Sequence, residues 1–178
     1  MKKKLISLGL AFVVAMTLVV PALAAEPAED VVYIDASQVS EEELDAIVEK
    51  ASNEQRIIVI QYEGGRVDRL APASKRTSRI YASVTKTLST TAWTEIGKCN
   101  PIPVIGSNLV IEMGHNNPGS ARIKIVDNET KEEHITAAIK PGYDLETRWE
   151  GPYTLYAQAE SVPGSYYIFA CDWFTMGG

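Results

Sequence analysis

Aromatic and polar side chains near the C-terminus have the residue types of a ligand-binding surface. The alternating pattern places Tyr156 and Tyr166 on the outward faces of two consecutive strands, with Arg148, Gln158 and Glu160 close to them in the sequence. Aromatic rings offer a flat apolar face to a ligand, while guanidinium, amide and carboxylate groups form directional hydrogen bonds. We therefore predict a binding site for a sugar ring or a peptide at these residues. The alternative is a cross-strand aromatic pair that only stabilises the sheet.

The two histidines do not lie in a motif that is typical of catalysis. His115 falls in the loop 114–119, and His134 is predicted on the outward face of a strand, beside Thr136. A hydrolase needs a base close to a nucleophile and an acid that orients the base, and the sequence has no Gly-x-Ser-x-Gly elbow. We therefore predict no catalytic residue and no enzymatic activity. The alternative that stays open is a small hydrolase that uses His115.

No metal site and no cofactor are predicted. The acidic stretch 127–133 lacks the spaced oxygen ligands of a calcium loop, so 127–129 is interpreted as a hairpin turn. Two cysteines alone cannot complete a structural zinc site, and the histidines do not lie at ligand spacing from them.

Cys99 and Cys171 are the only cysteines of the chain. In a protein that enters an oxidising compartment we expect them to pair as a disulfide. Closing so long a loop would contribute about 4 kcal/mol in the chain-entropy model. The alternative is two buried free thiols.

Residues 1–24 have the layout of a cleaved secretory signal peptide. Lysines at 2–4 precede an apolar run at 5–20, and small residues at Ala22 and Ala24 predict cleavage between Ala24 and Ala25. The alternative is a retained membrane anchor, for which the apolar run is short. No second apolar segment follows it in the sequence. We therefore expect a secreted, extracellular protein with no stable membrane anchor after cleavage.

The charge of the chain makes nucleic acid an improbable partner. The whole chain carries 17 Lys and Arg against 23 Asp and Glu, a net charge of −6. Removal of the signal peptide would leave 14 basic residues against the same 23 acidic ones, which is −9. Binding to the phosphate backbone requires a basic surface.

Residues 25–63 are predicted to be an acidic segment with a strand at 31–34, a helix at 41–52 and a strand at 57–60. Ser40 and Glu43 match a capping box, and Leu44, Ile47 and Val48 follow at helical spacing. The segment 64–78 is interpreted as a linker because it contains two adjacent glycines and is rich in small and basic residues. This boundary predicts that residues 79–178 fold on their own.

Residues 79–178 are predicted to form an antiparallel two-sheet β-sandwich of jelly-roll type, so that the fold class is all-β with a small strand-helix-strand segment before it. Period-two alternation indicates eight strands, at 79–88, 91–97, 108–113, 121–126, 133–139, 143–150, 153–159 and 166–174. In the fifth of them, Ile135, Ala137 and Ile139 are assigned to the inward face.

These features favour a secreted, non-catalytic binding module for an extracellular carbohydrate or protein. An alternative from a different class is a structural or assembly component of the cell envelope or matrix, joined through sheet edges. Sandwich folds serve many functions, so the choice depends on the surface residues and not on the fold.

Overall fold

The computed structural model describes residues 30–73, 82–99, 108–149 and 152–171, and the predicted signal peptide lies outside them. The fold is mostly β, with two sheets and one α-helix after the first strand. No helix within these ranges is long and apolar enough to cross a membrane. The elements in chain order are β1 Val31–Asp35, α1 Glu41–Asn53, β2 Ile57–Gln61, β3 Val67–Pro72, β4 Ala82–Thr87, β5 Thr94–Cys99, β6 Asn108–Met113, β7 Ala121–Asp127, β8 Glu133–Ile135, β9 Tyr143–Arg148, β10 Tyr153–Ala159 and β11 Tyr166–Cys171.

The larger sheet has seven strands in the order β1-β2-β3-β9-β6-β11-β4, and the smaller has four in the order β5-β10-β7-β8. Strands β1 and β2 pair in parallel, because α1 carries the chain back to the start of the sheet between them. The other strand pairings within the described ranges are antiparallel. The predicted two-sheet, mostly-β architecture is confirmed, while jelly-roll connectivity is not shown.

Helix α1 begins where its capping box predicts. The Ser40 hydroxyl accepts from the Glu43 amide at 3.3 Å, and the Glu43 carboxylate accepts from the Ser40 amide at 2.9 Å. The hydrogen bond from the Ser40 backbone lowers the pKa of Glu43, because it favours the ionised carboxylate. Leu44, Val48 and Ala51 are buried on one face of the helix. The helix therefore packs through the apolar stripe that its sequence predicts.

Strand β3 lies within the segment that the sequence analysis interpreted as a linker. It pairs with β2 on one side and with β9 on the other, so the N-terminal segment and the later strands share one sheet. The register aligns Ile58, Leu70 and Leu145 across three strands. The sequence pattern missed β3 because a buried carboxylate, Asp68, occupies an inward position.

Buried side chains from both sheets and from α1 form a single hydrophobic cluster. All eight strands predicted for the C-terminal part are present, and the burial follows the predicted alternation, since Ile123 and Ile125 of β7 and Leu155 and Ala157 of β10 are fully buried. Tyr143 joins the sheet to the helix, since its hydroxyl lies 3.1 Å from the Ser52 carbonyl oxygen and 3.2 Å from that of Arg56. The helix and both sheets are therefore parts of one core.

The faces assigned to Ile135 and His134 of β8 are wrong, whereas Ala137 and Ile139, also assigned inward, are buried. Ile135, predicted inward, is 43% exposed, whereas His134, predicted outward, is 7% exposed. The strand ends at Ile135, so the alternation does not continue into the next residues, where Thr136 and Ala137 are both buried. The pairing of His134 with a buried carboxylate explains why the polar residue takes the inward position.

His134 of the smaller sheet and Asp68 of the larger sheet join the two sheets through a buried hydrogen bond. The distance from His134 Nε2 to Asp68 Oδ2 is 2.8 Å, and the two side chains are only 8% and 1% exposed. The Tyr62 ring meets the imidazole edge-on, with centroids 4.7 Å apart. Burial, and next the charge of Asp68, raise the pKa of Tyr62. The neutral phenol of Tyr62 and the imidazole of His134 thus lie beside the Asp68 carboxylate, which has no contact with solvent.

We expect His134→Leu to destabilise the protein by about 3–5 kcal/mol, because it leaves the Asp68 carboxylate buried without its partner. Guanidinium-chloride unfolding measures this effect. The double variant Asp68→Leu/His134→Leu should recover part of the loss, since it removes both polar groups together.

The matched control for this prediction is Arg69→Ala. It breaks the Arg69–Glu146 pair, which has a similar distance of 3.2 Å but is 40% and 33% exposed. Exposed pairs contribute less than about 1 kcal/mol. Equal losses for His134→Leu and Arg69→Ala would contradict the special role of the buried pair.

Deletion of the chain up to residue 75 should abolish cooperative unfolding. The deletion removes α1 and the first three strands, and it exposes the edge of β9 together with apolar core positions such as Leu145. Circular dichroism during heating, compared with a chain that begins at Ala25, tests this. A sharp transition in the shortened chain would support the domain boundary expected from the sequence.

Candidate functional site

The structure brings together two of the four residues predicted to bind a ligand. Tyr156 and Gln158 lie on β10 of the smaller sheet, whereas Tyr166 lies on β11 and Arg148 ends β9, both in the larger sheet. Strands β10 and β11 follow each other in the chain but belong to different sheets, so the two tyrosines do not form one platform. Tyr166 stands 74% exposed on the larger sheet, away from Tyr156.

Tyr156 instead belongs to a cluster on the outer face of the smaller sheet. We call Trp93, Lys124, Tyr156 and Gln158 the aromatic face. In the strand register Tyr156 lies opposite Lys124 of β7 on one side and Glu95 of β5 on the other. The Lys124 ammonium is 5.3 Å from the centroid of the Trp93 ring and 5.4 Å from that of Tyr156. Both distances are typical of a cation–π contact.

The alternation of the strands fixes the outward direction of this face. In β10 the neighbours Leu155 and Ala157 are buried, so Tyr156 must point to the opposite side. In β7 the same argument applies to Lys124, which lies between Ile123 and Ile125. The register between β10 and β5 shifts here, because Leu155 lies opposite Gly97 and Tyr156 lies opposite Glu95, which leaves Ile96 of β5 as the extra residue.

Hydrogen bonds to β10 hold the loop that carries Trp93. The Gln158 side-chain amide donates to the Thr90 carbonyl at 2.7 Å, and the Ala159 amide donates to the Ser89 carbonyl at 2.9 Å. The Ser89 hydroxyl accepts from the Thr91 amide at 3.0 Å. These bonds position Trp93 before any ligand arrives, which reduces the entropy cost of binding.

The charges on the aromatic face are balanced. Lys124 pairs with Glu133 at 3.3 Å, and Lys98 pairs with Glu95 at 3.3 Å. The Lys124 side chain is only 16% exposed, so its methylene groups pack on the sheet while its ammonium contacts the rings. The face therefore combines two partly exposed rings with paired polar groups and no excess of either charge.

Arg122 lies beside this face, opposite Gln158 in the register, and its role is structural. Its guanidinium contacts Glu41 at 2.9 Å and also Asp45 and Glu160, and its side chain is 13% exposed. Burial opposes the charged form, but the hydrogen bond with Glu160 and the three carboxylates outweigh it and raise the pKa of Arg122. Arg122 thereby fixes the acidic first turns of α1 against the smaller sheet.

Neither histidine lies in a catalytic arrangement within the described part of the chain. His134 is buried against Asp68, away from solvent. His115 is exposed, and its ring lies against Gly142, where a Cβ atom would overlap the imidazole. No hydrogen bond or ion pair joins His115 to another described residue. The hydrolase alternative thus gains no supporting contact from these ranges.

The acidic turn after β7 uses its first carboxylate to close the backbone. Asp127 accepts from the amides of Glu129 and Thr130 at 2.7 Å each. Hydrogen bonds from the backbones of Thr130 and Glu129 lower the pKa of Asp127. Across the ranges that the structure describes, no group of three or more His, Cys, Asp or Glu side chains could hold a metal ion.

The predicted disulfide falls on side chains outside the described ones. The backbone places Cys99 at the last position of β5 and Cys171 at the last position of β11, one in each sheet. Their pairing stays a prediction.

Trp93 and Lys124 were not among the residues predicted to bind a ligand. Period-two alternation places Lys124 on the outward face of its strand, but it assigns no face to Trp93. The alternation contains no signal that β5, β10 and β7 are neighbours, and this neighbourhood creates the cluster.

Comparison with known proteins reveals no relative from which a site could be transferred. No family model matches the chain, and neither a curated protein nor a solved structure matches it.

Proposed function

We propose that this protein is an exported, non-catalytic binding module that holds carbohydrate on its aromatic face. The observation that carries the proposal is the arrangement of the Trp93 and Tyr156 rings around the Lys124 ammonium, on a loop and a strand fixed by hydrogen bonds. The predicted signal peptide is the reason to place the ligand outside the cell.

A sugar ring suits the chemistry of this face. The C–H groups of a pyranose form an apolar surface that stacks on aromatic rings, while its hydroxyls need donors and acceptors at the margin. Trp93 and Tyr156 supply partly exposed rings, and Gln158, Glu95 and Lys124 supply polar groups around them. Because Lys124 is paired with Glu133, the face suits a neutral saccharide better than a strongly charged one.

The competing explanation is that Lys124 and the two rings only stabilise the sheet. A protein ligand would also be attracted to aromatic residues. The experiment below separates these explanations, since it measures binding and stability in the same variants. The jelly-roll-like connectivity expected from the sequence stays a prediction and supports no step of this proposal.

We expect Trp93→Ala and Tyr156→Ala each to weaken glycan binding about two- to tenfold, because each removes an aromatic contact of about 0.5–1.5 kcal/mol. A glycan array identifies the ligand, and titration calorimetry then gives the dissociation constant for the wild type and the variants.

Tyr166→Ala is the control for these variants, because it removes a tyrosine that is 74% exposed and lies on the other sheet, outside the aromatic face. Its affinity should equal that of the wild type. Failure of the wild type to bind any glycan would contradict the proposal. Loss of thermal stability in Trp93→Ala and Tyr156→Ala without loss of binding would show that the cluster is only structural.

Export can be tested independently of the ligand. N-terminal sequencing of protein from the culture medium should begin at Ala25, and non-reducing mass spectrometry should find Cys99 linked to Cys171. An intact Met1 in the membrane fraction would contradict secretion, and two free thiols in freshly exported protein would contradict the disulfide.

A further inference from the structure

Strand β1 is a terminal strand of the larger sheet. Among the described residues its only strand neighbour is β2, to which it is parallel. Its sequence runs Val-Val-Tyr-Ile-Asp, and Tyr33 at its centre is 77% exposed, the highest value among the large hydrophobic side chains. This strand therefore presents apolar side chains next to a backbone edge.

The hydrogen bonds to β2 show which backbone groups of β1 point away from the sheet. The Ile57 amide donates to the Asp30 carbonyl at 2.8 Å. In a parallel ladder alternate residues direct both their N–H and C=O groups to the same neighbour. The even-numbered residues of β1 therefore face β2, and three residues direct their backbone groups outward: Val31, Tyr33 and Asp35.

The other three terminal strands carry features that discourage edge-to-edge pairing. Strand β4 contains Lys86, β5 contains Glu95 and Lys98, and β8 is only three residues long. Lysines, other charges and short length are the usual protections of a sheet edge. Strand β1 has no lysine, and its single charge, Asp35, is its last residue.

We propose that β1 pairs with β1 of a second copy of this chain, in an antiparallel ladder centred on Tyr33. This register is self-complementary, because the three residues with outward backbone groups lie opposite one another in the two copies. Tyr33 then faces Tyr33 of the second copy, and Val31 faces Asp35. The Tyr33 pair exchanges two backbone hydrogen bonds, and the tyrosines form a cross-strand aromatic contact. Asp35 is also the N-cap of the 3-10 helix Ala36–Gln38, so its N–H is the group that it offers to the Val31 carbonyl.

The charges on the strand favour a second copy in this antiparallel direction. With Asp35 opposite Val31, the two Asp35 carboxylates lie at opposite ends of the ladder. A parallel arrangement would place them side by side, which is destabilising. The antiparallel pair also closes with two-fold symmetry and leaves no further β1 edge for a third copy.

The dimer would present two copies of the aromatic face together. The two-fold axis is perpendicular to the joined sheet, so both smaller sheets lie on the same side of it. The two aromatic faces would then be displayed by one assembly and could bind one surface with increased avidity. This consequence rests on the proposed carbohydrate site, whereas the pairing of the strands does not.

Sedimentation equilibrium of the exported protein, over about 1 μM to 1 mM, tests the pairing. The wild type should dimerise reversibly. Tyr33→Lys introduces a charge at the two-fold axis, and Tyr33→Pro removes an outward N–H that β2 does not use. We expect the dissociation constant of Tyr33→Lys to rise at least tenfold and Tyr33→Pro to stay monomeric. Tyr166→Lys adds the same charge at a 74% exposed tyrosine on a central strand and should dimerise like the wild type.

Thermal unfolding confirms that each variant is folded. A wild type that stays monomeric throughout this range overturns the proposal and would leave the edge to a strand from another protein. Dimers that persist in both folded Tyr33 variants also overturn it, because another surface must then hold the copies together. If the wild type stays monomeric but still binds glycan, the proposed dimer is wrong and the proposed function is retained.

Discussion

A carboxylate with no access to water needs a hydrogen-bond partner. The hydrogen bond between Asp68 and His134 therefore constrains how the two sheets pack. Asp68 lies on β3 of the larger sheet and His134 on β8 of the smaller one, with 2.8 Å between the bonded atoms. An apolar contact tolerates small shifts, whereas this hydrogen bond has a narrow range of distance and angle. It therefore sets the register of one sheet over the other at the side where the N-terminal strands join.

Three further contacts hold α1 in the same corner of the molecule. Arg122 of the smaller sheet binds carboxylates of the first turns of the helix. The Tyr143 hydroxyl of the larger sheet lies against carbonyls at its C-terminal end. Between these polar contacts, Leu44 and Val48 pack into the common core. The helix thus belongs to the same packing unit as the sheets, and the described part of the predicted linker, residues 64–73, joins the larger sheet through β3.

The two functional surfaces proposed for this protein use different physics on different sheets. The aromatic face depends on side chains held by an antiparallel ladder and by a hydrogen-bonded loop. The free edge of β1 depends on backbone groups that the parallel pairing with β2 leaves outward. The two surfaces share no residue, so each can be altered by its own variants.

The sequence by itself determined the local features of this protein. The capping box at Ser40 gave the start of α1, and period-two alternation gave the eight C-terminal strands and most of their buried positions. These features depend only on neighbouring residues. Alternation states which face of a strand is buried, but not which strand lies beside it.

Only the tertiary structure decided the features that depend on distant residues. It assigned Tyr156 and Tyr166 to different sheets and joined Tyr156 to Trp93 and Lys124. In the tertiary structure His134 also points inward, and β3 lies between β2 and β9 in the larger sheet. In both cases a polar residue occupies a core position because a partner 66 residues away compensates it. A hydrophobic pattern cannot contain that information, since the burial of each polar group is favourable only when the other is present.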